Sequence, residues 1–421
     1  MIFITSFLIY SANIKFDYDR DLKHHITRRL LPADDLIPNT FLPYMILKNR
    51  TLALNAVMNK FPMTKVAKPG YVVKVGDDYK SVYPILTGLL ATPFYLVPIL
   101  INKIPNIDTH LNILKVIMLG RISASLIASV SVLLFYLILE KLNQKGKISW
   151  KLVLTAFYAF GTSTWSISSR GLWLHTTSQL IISLIILVFL AGLKKDKYIK
   201  WAGLLLGLAV LARPTNIVIA FVMSAYVFFY QREHFIKFVL LALPTIFLWF
   251  LFNYVLYGSF FVEGYAAKND HNWTTSLTTS VPGLLFSPAR SFLFISPPLI
   301  LSYYGIMHTV NKKRKKDIDI LMSFLGIVFI LSFLLISKWW AWQGANAFGY
   351  RMLTEYLPIV GAFTYLVSIK FSKPFKVLLI VFMFYSFYIH TNAVVFRKSR
   401  CEEEHLWTTY CLKPPKRWPK Y

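Results

Sequence analysis

Apolar runs of about 15–25 residues recur from Leu111 onward, each long enough to cross a hydrocarbon core of about 30 Å as a helix. They cover 112–140, 151–168, 173–193, 236–257, 291–310, 319–337, 355–369 and 376–396. A further stretch, 201–230, is interrupted by ARPTN. Pro214 has no N–H and disfavours helix at Arg213, so the pattern predicts a hairpin of two shorter helices there. The run YPILTGLLATPFYLVPILI, 83–101, has the length of a span, but counting it as one reverses the side of every later loop. Its internal Pro93 and Pro98 suit a broken helix, and it is expected to lie in the outer interface or to re-enter. The first run, 1–12, is too short to cross alone and reads as an incomplete first helix or an anchor that dips into the membrane. A signal peptide is disfavoured there because no basic segment precedes the run. Together the runs predict an all-α fold, a polytopic transmembrane helix bundle of about 11 spans with outer-face loops and interfacial helices.

The polar gaps between the runs carry the charge. KLNQKGK (141–147), KKDKYIK (194–200), QREHFIK (231–237), NKKRKKD (311–317) and KFSKPFK (370–376) fall on one side if alternate loops face the other. The positive-inside rule makes that side cytoplasmic. The outer face then receives 13–80, TWSISSRGLWLH, the apex at Arg213, the loop 258–290, WWAWQGANAFGYR and the tail after Phe396. Composition agrees: the 421 residues are 56% hydrophobic with mean hydropathy +0.52, and carry a net charge of +27. Soluble globular domains rarely combine these values. Because the basic residues sit in short loops between apolar runs, they are explained by topology, and nucleic acid is not expected as a partner. Cys401 and Cys411 both fall in the outer tail, where an oxidising face and short spacing allow a disulfide, with two free thiols as the alternative. No Cys/His cluster with zinc spacing occurs, and no metal ligands are assigned.

Carboxylates are few, so their clustering is informative. DYDRD (Asp17, Asp19, Asp21) and the pair Asp77 and Asp78 read as solvated polar loops. Asp34 and Asp35 differ because LIPNTFLPYMIL follows them and would hold Asp35 against the membrane surface, placed to act as a general base towards a hydroxyl. Against them stand Arg213, Arg290 and Arg351 at the outer ends of apolar runs, each beside glycine or proline. Ionisable groups at membrane depth are costly and usually line a polar cavity. The planar guanidinium fork matches phosphate oxygens, so three converging arginines would make a phosphate site, with snorkelling to the headgroups as the bland alternative. His175 opens an apolar run beside Trp173 and is either a site residue or a hydrogen-bonded structural one; Glu263 is a weaker candidate. In KWWAWQGANAFGYRML, Trp339 and Trp340 fit an interfacial aromatic belt, while Gly344 and Gly349 would let backbone approach a bulky ligand.

Seven stretches, DDLIPNTFLPYMILKNRTLALN, YKSVYPILTGLLATPFYLV, GTSTWSISSRGLWLHTTSQL, LLGLAVLARPTN, NYVLYGSFFVEGY, FSPARSFLFISPPLIL and WWAWQGANAFGYRMLTEYLP, cover most of the chain in order. Together they resemble the bacterial GT-C class of membrane glycosyltransferases, which includes relatives of protein O-mannosyltransferases and lipid A aminoarabinose transferases. The resemblance implies a GT-C-like catalytic domain over 1–396, with 13–110 as a first outer loop bearing an interfacial helix, and an outer-face tail over 397–421. It implies Asp35, with Asp34, as the catalytic acidic motif, and Arg213, Arg290, Arg351, Lys80 and His175 as contacts to a lipid-phosphate donor. Trp173, Tyr83, Trp342, Gln343 and Asn346 would line the cavity. The chain departs from the pattern at Thr40 and Val82, where related sequences have basic residues. The function implied is transfer of a sugar from a polyprenyl-phosphate-linked donor to an acceptor glycan, lipid or protein, in a bacterial-type cytoplasmic membrane with the site outside. A transporter or flippase for a lipid-linked or anionic substrate, or a non-catalytic subunit of an envelope assembly complex, are the alternatives. No cofactor is assigned, and a divalent cation at the carboxylates stays open.

Overall fold

Backbone in hydrocarbon has no water to bond with, so it must satisfy its own polar groups, and helix does this within one segment. The computed structural model, which describes residues 1–58, 60, 70–268, 273–313, 316–345, 347–396 and 406–408, is correspondingly mostly helix, with a single short strand hairpin among those residues. The N-terminal part holds α1 (Ile2–Ser11), α2 (Ile14–Lys23), α3 (Ile37–Tyr44), α4 (Asn55–Met58), an antiparallel hairpin of β1 (Val72–Val75) and β2 (Asp78–Ser81), and α5 (Leu86–Leu100). The bundle follows: α6 (His110–Leu142), α7 (Ile148–Phe160), α8 (Ser163–Ser166), α9 (Leu174–Gly192), α10 (Lys200–Ala212), α11 (Ile217–Tyr230) and α12 (Arg232–Tyr257). Then come α13 (Gly264–Ala267), α14 (Leu277–Phe286), α15 (Phe292–Ile295), α16 (Leu301–Val310), α17 (Asp317–Lys338), α18 (Leu357–Ser368) and α19 (Lys373–Thr391). Among the described residues five helices, α6, α9, α12, α17 and α19 with its extension to Val395, are long and apolar enough to cross a membrane.

The breaks between helices have local causes. Pro214 ends α10, Arg213 takes an extended conformation, and a 3-10 turn over Pro214–Asn216 starts α11, which gives the two helices expected in 201–230. Two expected spans are shorter than the apolar pattern. The run 151–168 stops being helix after Phe160, because Thr162 caps a new short helix with its side chain accepting from Thr164 N. The run 291–310 is divided at Ser296, where Pro297 and Pro298 open a 3-10 turn before α16. The stretch 83–101 corrects the expectation in the other direction: α5 is one helix that carries Pro93 and Pro98 inside it. It is held on α3 by Asn39 Oδ1, which accepts from Gly88 N at 2.9 Å, and by Tyr95, whose hydroxyl donates to Thr40 O at 3.0 Å.

Among the described residues two main apolar cores result, with a small third cluster of Leu42, Ile85 and Leu256. The larger joins the lower part of α6 with α7, α9–α11 and α17–α19. The second packs Leu36, Ile37 and Phe41, together with Tyr95 of α5, against the first turns of α6 and against Ile167 and Trp173. The N-terminal segment is therefore a cap on one end of the bundle, and the seam between the two cores is where charged groups collect. At the other end two lysine-rich loops meet, with Trp150 Nε1 donating to Ser368 Oγ at 3.0 Å and Lys376 Nζ 5.6 Å from the Trp150 ring.

Candidate active site

The chain enters the seam at a 3-10 turn, Asp34–Leu36, that Pro38 converts into α3. Asp35 leaves the turn with both oxygens engaged: Oδ1 accepts from the Tyr83 hydroxyl at 3.1 Å and Oδ2 from Arg351 Nη1 at 3.0 Å. The Arg351 guanidinium also lies over the Trp173 ring, 4.7 Å from its centroid. Burial, and after it the Asp35 charge, pushes the Tyr83 hydroxyl up, so it stays protonated and donates. Asp34 faces the other way, to Arg28 Nη1 at 2.8 Å.

Arg351 opens a 3-10 helix, Arg351–Tyr356, and Glu355 follows on the same helix. Glu355 is fully buried and bonds both Arg213, at the end of α10, and His175 Nδ1, in the first turn of α9. Arg213 Nη1 is also 3.3 Å from His175 Nδ1. Isolated buried ions are prohibitively costly, and this carboxylate is stable only because the Arg213 guanidinium and the His175 imidazole meet it from two helices.

A cavity of about 610 Å³ opens onto Asp35, Arg351, Arg213 and His175, with Glu355 buried behind the last two. Its aromatic wall is built from Tyr265, Trp273 and Trp339, with Trp339 at 4.8 Å from Trp273 and 5.8 Å from Tyr265 between ring centroids. Its apolar side is Ile217, Leu335 and Ile336, at the facing ends of α11 and α17. A second cavity of about 410 Å³ shares Asp34, Asp35, Trp173 and Arg351 with the first and adds Arg28, Ser166 and Arg170. Arg170 is anchored from behind by Asp17 at 3.2 Å and Asn13 at 3.1 Å, which gives Asp17 a buried partner in place of the solvated loop expected for it. Asp35 is thus part of a wall between two chambers.

This architecture is similar to two crystal structures of ArnT, a lipid A aminoarabinose transferase, from Cupriavidus metallidurans, one bound to undecaprenyl phosphate and one in the apo state. The likeness covers 92% of this chain in both, with a TM-score of 0.54 and sequence identities of 12% and 10%. The chain has a GT-C membrane fold. It spans 65% and 64% of the length of the two ArnT chains. No protein-family model and no curated protein matches it.

Within the GT-C fold, Asp34, Asp35, Tyr83, Trp173, His175, Arg213 and Arg351 gather at the larger cavity. Four other expected residues do not line it. Arg290, 1% exposed, turns away and donates through Nη2 to Ala345 O at 2.7 Å and through Nη1 to Ala347 O and Gly349 O, so it braces the tryptophan loop from behind. Lys80 pairs with Asp78 at 2.7 Å on β2. Trp342 is buried against Gly283, where even an added Cβ would come within 2.1 Å of its ring, and Gln343 follows it out of the cavity. Trp339 and Trp340, expected as a belt, line the cavity in their place. Asn346, Cys401 and Cys411 lie outside the described residues. Among the described residues no three His, Cys, Asp or Glu side chains gather as a metal site.

Glu355 was absent from the sequence reading, as were Tyr265 and Trp273. The signal for Glu355 was available: it is an acidic residue at the first position of an apolar run, four after an arginine already singled out. Glu263 also reaches the cavity, where it caps α13 by accepting from Tyr265 N and Ala266 N.

Proposed function

We propose that the protein is a membrane glycosyltransferase that moves a sugar from a polyprenyl-phosphate-linked donor to an envelope acceptor, a lipid, glycan or protein, on the outer face. The observation that carries this reading is the larger cavity, whose apolar side leads to two arginines that each face a carboxylate. A prenyl chain suits the apolar side, and a phosphate suits guanidinium forks whose planar N–H groups match its oxygens. Arg351 Nε and Trp173 Nε1 are both buried and have no partner among the described residues, which leaves donors for a ligand. The likeness to ArnT, crystallised with undecaprenyl phosphate, supports the same lipid class.

In the proposed step the acceptor hydroxyl oxygen bonds to the anomeric carbon while the bond from that carbon to the phosphate oxygen breaks, its electron pair leaving with the phosphate. The hydroxyl proton passes to Asp35, and Arg213 and Arg351 stabilise the charge that grows on the phosphate. The smaller, more polar cavity suits the acceptor, so donor and acceptor would meet the Asp35 carboxylate from opposite sides. Asp34, tied to Arg28, acts on the acceptor side.

The test is transfer of radiolabelled sugars from polyprenyl phosphate by reconstituted protein, compared with Asp35→Asn. The expected result is a loss of about 10²–10⁴-fold in transfer with donor binding kept. Equal transfer by both proteins refutes the role of Asp35, and movement of lipid-linked sugar across the bilayer without transfer refutes the transferase.

A further inference from the structure

The histidine at the cavity is held like the base of a hydrolase triad. His175 Nδ1 meets the Glu355 carboxylate, and Glu355 is in turn fixed by Arg213 and shut off from solvent. A carboxylate at Nδ1 fixes the tautomer with the proton on that nitrogen and orients the ring. Nε2, on the far side of a ring that lines the cavity, then carries a bare lone pair and has no partner among the described residues. A residue with only a packing role has no need of a buried carboxylate behind it.

The surrounding charges set what Nε2 does. Glu355 and Arg351 face the ring from the 351–356 helix, Arg213 from the end of α10, and Asp35, Glu263 and Tyr265 from across the cavity. The site's own residues balance Arg213 against Glu355 and Arg351 against Asp35, and a third cation on the ring would sit 3.3 Å from the Arg213 Nη1 nitrogen. An incoming phosphate adds negative charge beside these arginines and reverses that balance.

Resting on the donor reading above, we propose that His175 takes up a proton as the lipid phosphate enters and returns it through Nε2 to an oxygen of the departing phosphate. Glu355 is the positioning residue. When the bond from the anomeric carbon to the phosphate oxygen breaks, the electron pair and the Nε2 proton both end on the phosphate, while the acceptor proton goes to Asp35. One proton enters from solvent with the donor and one leaves to solvent from Asp35, so the site resets without any further reactant. The two carboxylates divide the work: one takes the acceptor proton directly, and the other acts through a histidine on the leaving group.

The test separates this from the donor reading by using a probe that binds but cannot react. The methyl diester of a polyprenyl phosphate keeps one negative charge and does not titrate near neutrality. Its binding to the reconstituted full-length chain is measured calorimetrically in buffers of different ionisation heat, which reads the protons taken up. Wild type is expected to take up close to one proton near neutral pH, an uptake that falls away at alkaline pH as the bound histidine loses its proton, His175→Asn none, and Glu355→Gln less than wild type. In transfer assays the fall in rate at alkaline pH should vanish in His175→Asn, whose plateau lies about 10²-fold lower. Wild-type binding with no proton uptake overturns the proposal without need of any variant, as does equal uptake by His175→Asn, which would put the proton on Asp35 or Glu263. Failure of wild type to bind the diester overturns the donor reading instead.

Discussion

Arg290 separates charge from architecture, and lysine is the substitution that does so. If Arg290 served a lipid phosphate by its charge, Arg290→Lys would keep most of the function. The structure gives it a different task. Its guanidinium reaches three carbonyls, of Ala345, Ala347 and Gly349, in a loop where Gly344, Ala345 and Gly349 all have positive φ, of 78°, 49° and 65°. A left-handed alanine costs about 1–2 kcal/mol, so the loop does not hold this shape by itself. One ammonium cannot span all three acceptors, and losing one charged hydrogen bond at a buried carbonyl costs about 1.5–3 kcal/mol. Taking about 2.8 kcal/mol for the loss, the open loop becomes about 100-fold more populated, at 1.4 kcal/mol per tenfold. Amide hydrogen exchange over 341–350 in reconstituted protein reads this directly, because exchange through local opening follows the opening free energy. The expected result for Arg290→Lys is about 100-fold faster exchange there, unchanged exchange in α6, and weaker binding of polyprenyl phosphate because Arg351 follows the loop. Unchanged loop exchange together with unchanged binding would refute the brace, and unchanged exchange with lost binding would return Arg290 to the phosphate.

Three further outcomes are expected. Tyr83→Phe removes one hydrogen bond to a half-exposed carboxylate, about 1 kcal/mol, so transfer should fall roughly fivefold with the donor KM unchanged; in wild type, since Tyr83 is pushed up, no limb of the pH–rate profile from this hydroxyl should appear up to about pH 10, and one that Tyr83→Phe removes would contradict the reading. Lys80→Ala should leave donor binding within about twofold, because its pair with the exposed Asp78 is screened by water and does not reach the cavity; a large loss of affinity would restore the lipid-phosphate role. Gly203→Ala places a methyl 2.0 Å from the Phe238 carbonyl oxygen, which the backbone of α12 cannot yield locally, and should destabilise the α10–α12 packing by about 1–3 kcal/mol, seen as a lower unfolding midpoint in detergent. An unchanged midpoint would mean that α12 is free to shift.

Hydrocarbon thickness imposes a length on every crossing segment, which is why α6, α9, α12, α17 and α19 are visible in the apolar pattern. The same pattern is blind to where helix geometry fails inside an apolar run. Ser296 and Thr162 break theirs through hydrogen bonds and prolines that leave hydropathy unaltered, and α5 continues through two prolines because α3 holds it. The site divides in the same way. Charged residues at membrane depth announce themselves by their cost, so Asp35, Arg213 and Arg351 were legible, with His175 beside an aromatic. Arg290 carries the same signal as Arg351, and only the direction of three carbonyls distinguishes a brace from a site residue.

Glu355 exposes the deeper gap, which is that charges of this kind have to be read in pairs. Arg213 needs Glu355 and Arg351 meets Asp35, so neither arginine brings bare positive charge to the cavity. On the donor reading proposed above, an entering phosphate would be met by fork N–H groups left over from a carboxylate partner. A single ammonium cannot serve carboxylate and phosphate at once, so arginine is required at both positions for geometry more than for charge. On that reading, selectivity for the anion would rest on how rigidly the 351–356 helix holds Arg351 and Glu355, and therefore on the loop that Arg290 braces one turn before them.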